Sequence, residues 1–187
     1  MKNTYIKHEI TIEELCNHIV AKASEQLQEH GAIPATFICL GSRRTVQWTA
    51  QSLSNALAVA EFANDCRLLC VSEEASAAIF VARVELGCGR PFAIKAPDSS
   101  ANGGPEYLLI QIELDGGQNQ THMVPILPGT GGRPKLGNSR VLLNGLLARI
   151  TNALLPKAKP TEAEQTIAKL AIQQNPRLAS YNPFQSN

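Results

Sequence analysis

Aromatic residues are scarce in this chain, 5% of 187 positions with one tryptophan, and few of them interleave with lysine or arginine. Without stacking groups among the cations, and with no RRM, helix-turn-helix or zinc-finger signature, base readout of nucleic acid is unsupported. Weak phosphate-backbone affinity through the basic C-terminal third is the most that this chemistry offers. Long apolar runs are lacking as well: each is broken well before the roughly 18 residues that span a bilayer. Met1 to Glu9 also hold no apolar core of a secretory signal. No membrane association is therefore expected, and the cytoplasm is the expected compartment.

Reactive groups are sparse in the same way. The five cysteines, Cys16, Cys39, Cys66, Cys70 and Cys88, include no C-x-x-C pair, and four of them sit inside hydrophobic patterns, where a thiol acts as a small buried hydrophobe. Neither a disulfide framework nor a structural zinc is expected. His8, His18, His30 and His122 are too far apart for a helix-borne metal motif, and no G-x-S-x-G elbow presents a nucleophile. The sequence nominates no catalytic residue, metal or cofactor.

What is present is a globular composition, 44% hydrophobic and 18% charged. The length suits one domain over residues 1–155, followed over 156–187 by a linker, a short amphipathic helix and a flexible basic tail. Residues 1–127 carry nine Lys/Arg against fourteen Asp/Glu, a net −5, whereas 128–187 carry eight against two, a net +6. Such asymmetry fits either an acidic partner or a basic end folded against an acidic body.

Helix and strand periods order the domain. Thr11 and Glu14 have capping-box spacing before an amphipathic helix that Gly31 ends. Residues 36–40 and 45–49 read as a β-hairpin, and Ser52 as the cap of a second helix carrying Leu53, Ala56, Leu57, Ala60 and Ala63. Arg67–Ser72 reads as a short central strand whose polar end, Ser72 and Glu73, lies where sites often form. Residues 75–86 fit helix and strand equally, and 87–105 read as a long linker. Tyr107–Leu114 and Thr121–Leu127 form a second hairpin about Asp115-Gly116-Gly117, with Pro125 placing its return strand at an edge or bulge. A last pattern, Thr161–Gln174, has another capping box and a thin apolar face of Ile167, Leu170 and Ala171. Beyond it only Tyr181 and Phe184 are available as anchors.

The glycine-rich basic loop Gly129–Arg140 precedes an apolar stretch, Val141–Leu155, that reads as a helix capped by Asn138 or Ser139. Unpaired N–H groups at a helix start beside cations attract anions, so Gly131, Gly132, Arg133, Lys135, Asn138, Ser139 and Arg140 form a candidate anion site. The loop almost fits G-x-x-x-x-G-K-[ST], but Asn138 stands where the phosphate-binding lysine belongs, so a working P-loop is not expected.

The sum is an α+β fold, an antiparallel sheet of about five strands with helices packed on it, in the order α-β-β-α-β-(loop)-β-β-α. That order resembles the profilin-like and roadblock domains, which implies a partner-binding module and no more. The segments His30–Pro34, Val71–Glu73 and Gly131–Gly137 resemble a group of uncharacterised bacterial and mobile-element proteins, which implies a phage or plasmid setting but no activity. The function expected is protein binding or self-association, through the Val141–Leu155 helix or an exposed sheet face. The alternatives are an enzyme or sensor holding a phosphorylated ligand at 129–140, and weak nucleic-acid binding.

Overall fold

The computed structural model describes residues 11–50, 53, 55–87, 90–94, 104–129, 133–142, 154–178 and 181. Helix α1 spans Ile12–His30, and its ends form as the sequence predicts. The Thr11 hydroxyl accepts from the Glu14 N–H while the Glu14 carboxylate accepts from the Thr11 N–H, and Gly31 closes the helix at φ 71°. Cys16, Ile19, Ala23 and Leu27 are its buried stripe. The hairpin follows, β1 (Thr36–Leu40) against β2 (Thr45–Thr49).

Helix α2 spans Ala56–Ser72. Its cap is Asn55, whose side chain accepts from the Ala58 N–H, rather than Ser52. The central strand expected at Arg67–Ser72 is the second half of this helix. A short apolar run carries no period of its own, and here Leu69 and Cys70 extend the buried stripe of Phe62, Ala63 and Cys66 at helical spacing. Ser72 and Glu73 consequently end a helix, not a strand.

The undecided segment is strand β3, Ala77–Gly87, and its small and β-branched residues serve two faces. Ala78, Phe80, Ala82 and Val84 join the core under α2, whereas Ile79 and Val81 join the core under α1. Part of the supposed linker is strand β4 (Arg90–Ile94), which pairs with β3 across a register shift. Strands β5 (Glu106–Leu114) and β6 (Asn119–Leu127) form the second hairpin. Two short strands, β7 (Lys135–Leu136) and β8 (Arg140–Leu142), complete the far border on β6. Pro125 sits on β6 between these two pairings, and its carbonyl accepts from the Gly137 N–H at 2.8 Å.

The result is an α+β fold built on an eight-stranded antiparallel sheet, ordered β2-β1-β3-β5-β6-β7 with β4 on β3 and β8 on β6. One face carries α1; the other carries α2 and the C-terminal helix α3, Glu162–Gln174. None of the described helices is long and apolar enough to cross a membrane.

Helix α3 has the predicted capping box at Thr161 and Glu164 but a different buried face. Ala168 and Ile172 are buried, while Ile167 and Leu170 remain 66% and 48% exposed. Polar anchoring sets this rotation. The fully buried Asp65 of α2 accepts from Asn175 Nδ2 at 2.7 Å and from Arg177 Nε at 2.8 Å and Nη2 at 3.1 Å, just past the end of α3. A buried carboxylate left without partners costs about 3–5 kcal/mol, more than the roughly 1.5–3 kcal/mol gained by covering one aliphatic side chain. The tail read as flexible is thus docked as far as Leu178, itself buried, and again at Tyr181; Phe184 lies outside the described residues.

Candidate functional site

Arg133, Lys135, Asn138, Ser139 and Arg140 are all exposed, and Gly131 and Gly132 lie outside the described residues. No helix begins at Asn138 or Ser139, because Arg140–Leu142 is strand β8. The outer edge of β6 offers backbone groups at Thr121, His122 and Met123, and pairing with them outweighs the helical pattern of Val141 and Leu142. Residues 143–153, the body of the expected helix, lie outside the described residues, and Leu154 is buried in an irregular segment. The helix-end N–H groups that motivated an anion cradle are therefore engaged differently. Lys135 pairs with Leu127 and Arg140 with Met123, four positions apart on β6, so these cations are strung over about 13 Å of strand.

One predicted residue does meet reactive neighbours. Ser139 Oγ lies 3.3 Å from His122 Nδ1 and 3.8 Å from the thiol of Cys16 on α1, and His122 Nε2 lies 3.2 Å from Gln120 Oε1. With Gln120 accepting from Nε2–H, Nδ1 is left to accept the Ser139 hydroxyl proton, the tautomer a general base requires. Burial pushes the His122 pKa below its usual 6.5 and the Cys16 thiol upward, so both are neutral at pH 7. Ser139 itself is exposed. The protein must lose stability on acidification: the unfolded chain takes up a proton near pH 6.5 that the folded chain resists, so the His122 contribution is complete above pH 6.5 and declines as pH falls through the lower folded value. Urea titrations from neutral to mildly acidic pH should show this slope, and His122→Gln should flatten it.

A second cluster gathers at the corner where α2 enters β3. The β1–β2 loop presses on the end of α2, with the Ser42 N–H donating to the Glu73 carbonyl at 3.0 Å. Glu73 is buried and receives both Arg44 Nε and Nη2 at 3.1 Å, together with the Tyr181 hydroxyl. The Arg44 guanidinium also lies 4.9 Å from the centroid of the Tyr181 ring. Burial and then the bond to Glu73 raise the Tyr181 pKa, so the phenol stays protonated and donating. Ser72, the other residue singled out here, turns its hydroxyl back to the Leu69 carbonyl. Next in chain, Glu74 adopts φ 53°, left-handed backbone that costs a non-glycine residue about 1 kcal/mol. Its carboxylate meets Lys159 Nζ at 2.6 Å and Ser42 Oγ at 3.3 Å, and the lysine contact holds its pKa below the ordinary value. A cavity of about 220 Å³ opens beside this pair, lined by Ser42, Glu74, Ser76, Asp115, Leu155 and Lys159 among others.

The two clusters do not converge. Ser72 and Glu73 stand at the Leu40 end of β1, whereas His122 lies on β6 and Ser139, just before β8, lies between it and Cys16 of α1, and Arg133 and Lys135 lie beyond them. Among the described residues no group of three His, Cys, Asp or Glu could hold a metal ion. Of the four described cysteines, Cys66 and Cys70 have pKa values pushed upward, by burial for Cys66 and chiefly by a bond to Cys39 for Cys70. Both are therefore protonated thiols rather than thiolate ligands. Comparison with family models, curated proteins and solved structures finds no match to the chain. Sequence reasoning missed Arg44, Asp65 and Arg177. The one signal available for Asp65 and Arg177 was the opposite net charge of the two chain regions, which the Arg177–Asp65, Arg177–Glu61 and Lys159–Glu74 pairs express; nothing in the sequence pointed to Arg44.

Proposed function

We propose that this chain is a binding module that receives an extended strand at the border of its sheet formed by β2. The supporting observation is a contrast among border strands. Proteins blunt exposed edges with charge, proline, shortness or bulges, and three borders here follow that rule. β4 carries Arg90 and Pro91 and pairs across a register shift, β7 is two residues long with Lys135, and β8 is three residues long with Arg140. β2, Thr45-Val46-Gln47-Trp48-Thr49, has neither charge nor proline, and its register with β1 is unbroken. Among the described residues it pairs with β1 alone.

The outward groups can be identified. The Ala50 N–H donates to the Ala35 carbonyl and the Gly41 N–H to the Arg44 carbonyl. Directly bonded pairs alternate along an antiparallel ladder, so Arg44, Val46, Trp48 and Ala50 bond inward to β1. Thr45, Gln47 and Thr49, all with exposed side chains, then direct their N–H and C=O groups outward. This is the arrangement used in β-strand addition, where main-chain bonds supply affinity.

The test is amide hydrogen exchange against a library of extended peptides rich in β-branched residues. Binding should slow exchange at Thr45, Gln47 and Thr49, and Gln47→Pro should abolish it. Protection that maps elsewhere, or unchanged exchange at these three amides with every peptide and at every protein concentration, would remove strand addition as the function.

A further inference from the structure

We infer that the strand received at β2 is the β2 of a second copy, so that the module pairs with itself about a twofold axis through Gln47. This inference rests on the strand-addition reading and names its occupant. The argument is self-complementarity. Read backwards, Thr45-Val46-Gln47-Trp48-Thr49 becomes Thr-Trp-Gln-Val-Thr, so polar and apolar positions coincide in both directions. An antiparallel pair centred on Gln47 sets Thr45 opposite Thr49 of the second copy and Gln47 opposite its own equivalent. All three are outward positions, so each facing pair exchanges both main-chain bonds.

Side chains match on both faces. On the exposed face, threonine opposes threonine and amide opposes amide, pairs that hydrogen-bond across strands. On the α2 face, Val46 opposes Trp48 at non-bonded positions, where side chains approach most closely, and aromatic with β-branched is a favoured cross-strand pair. Trp48 is already held for this contact, stacked on Phe62 with ring centroids 4.7 Å apart. Charge is compatible too. The same axis sets Arg44 opposite Ala50, and Arg44 is neutralised by Glu73, so no like charges meet within the paired strands. A twofold contact closes on itself, so it gives a dimer rather than a fibre. The axis stands perpendicular to the sheet, which therefore runs on from one copy into the next with both α2 helices on one side.

Sedimentation velocity across a wide concentration series of the full chain tests this. The wild type should pass from monomer to dimer as concentration rises. Gln47→Pro removes an outward N–H and no bond to β1, so the monomer keeps its fold while the dissociation constant rises about tenfold or more. Gln47→Lys sets two ammonium groups face to face, and Gln47→Glu two carboxylates. Each variant alone should be monomeric, and their equimolar mixture should dimerise. A wild type that is monomeric throughout overturns the inference, as does a dimer that all three variants leave intact. Peptide protection at Thr45, Gln47 and Thr49 in a strictly monomeric protein would overturn the second copy as occupant and leave strand addition standing.

Discussion

Arg177→Ala should lower the unfolding free energy by about 2–4 kcal/mol, more than removing the carboxylate it serves. The asymmetry comes from exposure. Asp65 has no exposed side-chain surface, whereas Arg177 is 44% exposed. Take away Asp65 and the guanidinium turns to water and to Glu61, with which it already pairs at 2.6 Å. Take away Arg177 and the carboxylate stays in the core with Asn175 as its remaining hydrogen-bond partner among the described residues, a charge left largely uncompensated. Urea denaturation measures the loss. Limited proteolysis with trypsin should show cleavage after Lys157 or Lys169 as the segment comes off α2. The double variant Asp65→Asn with Arg177→Ala should recover much of the stability, because a neutral amide needs no cation. If the double variant is no more stable than Arg177→Ala alone, the ion pair is not what holds α3 down.

That pair also shows where a sequence stops being readable. Local chemistry was legible: both capping boxes, Gly31 as a helix end and the two hairpins all depend on groups within a few residues of one another. The edge expected at Pro125 is not one, because β7 and β8 pair with β6 on either side of it. Errors arose where a distant partner decides. Leu68-Leu69-Cys70-Val71 is apolar in any conformation, and it is helical because Leu69 and Cys70 continue a stripe begun at Phe62. Val141 and Leu142 have a helical pattern, yet the unpaired edge of β6 draws them into a strand. The thin face of α3 was misjudged because a carboxylate a hundred residues earlier, rather than apolar area, sets its rotation. The candidate sites divide in the same way. Glu73 was singled out for its place at an element end, but its partners Arg44 and Tyr181 come from a hairpin loop and the C-terminal segment. The β2 edge was legible only as a strand, since its openness depends on which strands lie beside it.

Gly41→Ala should destabilise by about 1–3 kcal/mol and should act through the corner rather than through the hairpin alone. A β-carbon at position 41 would stand 2.8 Å from both Cβ and the carbonyl oxygen of Glu73 and 2.9 Å from the carbonyl oxygen of Arg44. None of these is the free end of a flexible chain, so the β1–β2 loop must lift away from the end of α2. Lifting it strains the Ser42 bond to the Glu73 carbonyl and pulls Arg44 off the Glu73 carboxylate, which in turn frees Tyr181. Gly31→Ala is the control: nothing lies within 4 Å of its added carbon, so its cost is the left-handed backbone at φ 71° alone, about 1 kcal/mol. The two variants are told apart by the Tyr181 phenol, whose pKa burial and Glu73 hold above the ordinary tyrosine value. Followed by ultraviolet difference spectroscopy in the folded protein, one tyrosine should ionise at lower pH in Gly41→Ala than in the wild type, and at unchanged pH in Gly31→Ala. Equal losses of stability with no movement of the phenol in either variant would mean that hairpin, helix end and C-terminal segment are not coupled, and that Glu73 is an ordinary buried carboxylate rather than the keystone of this corner.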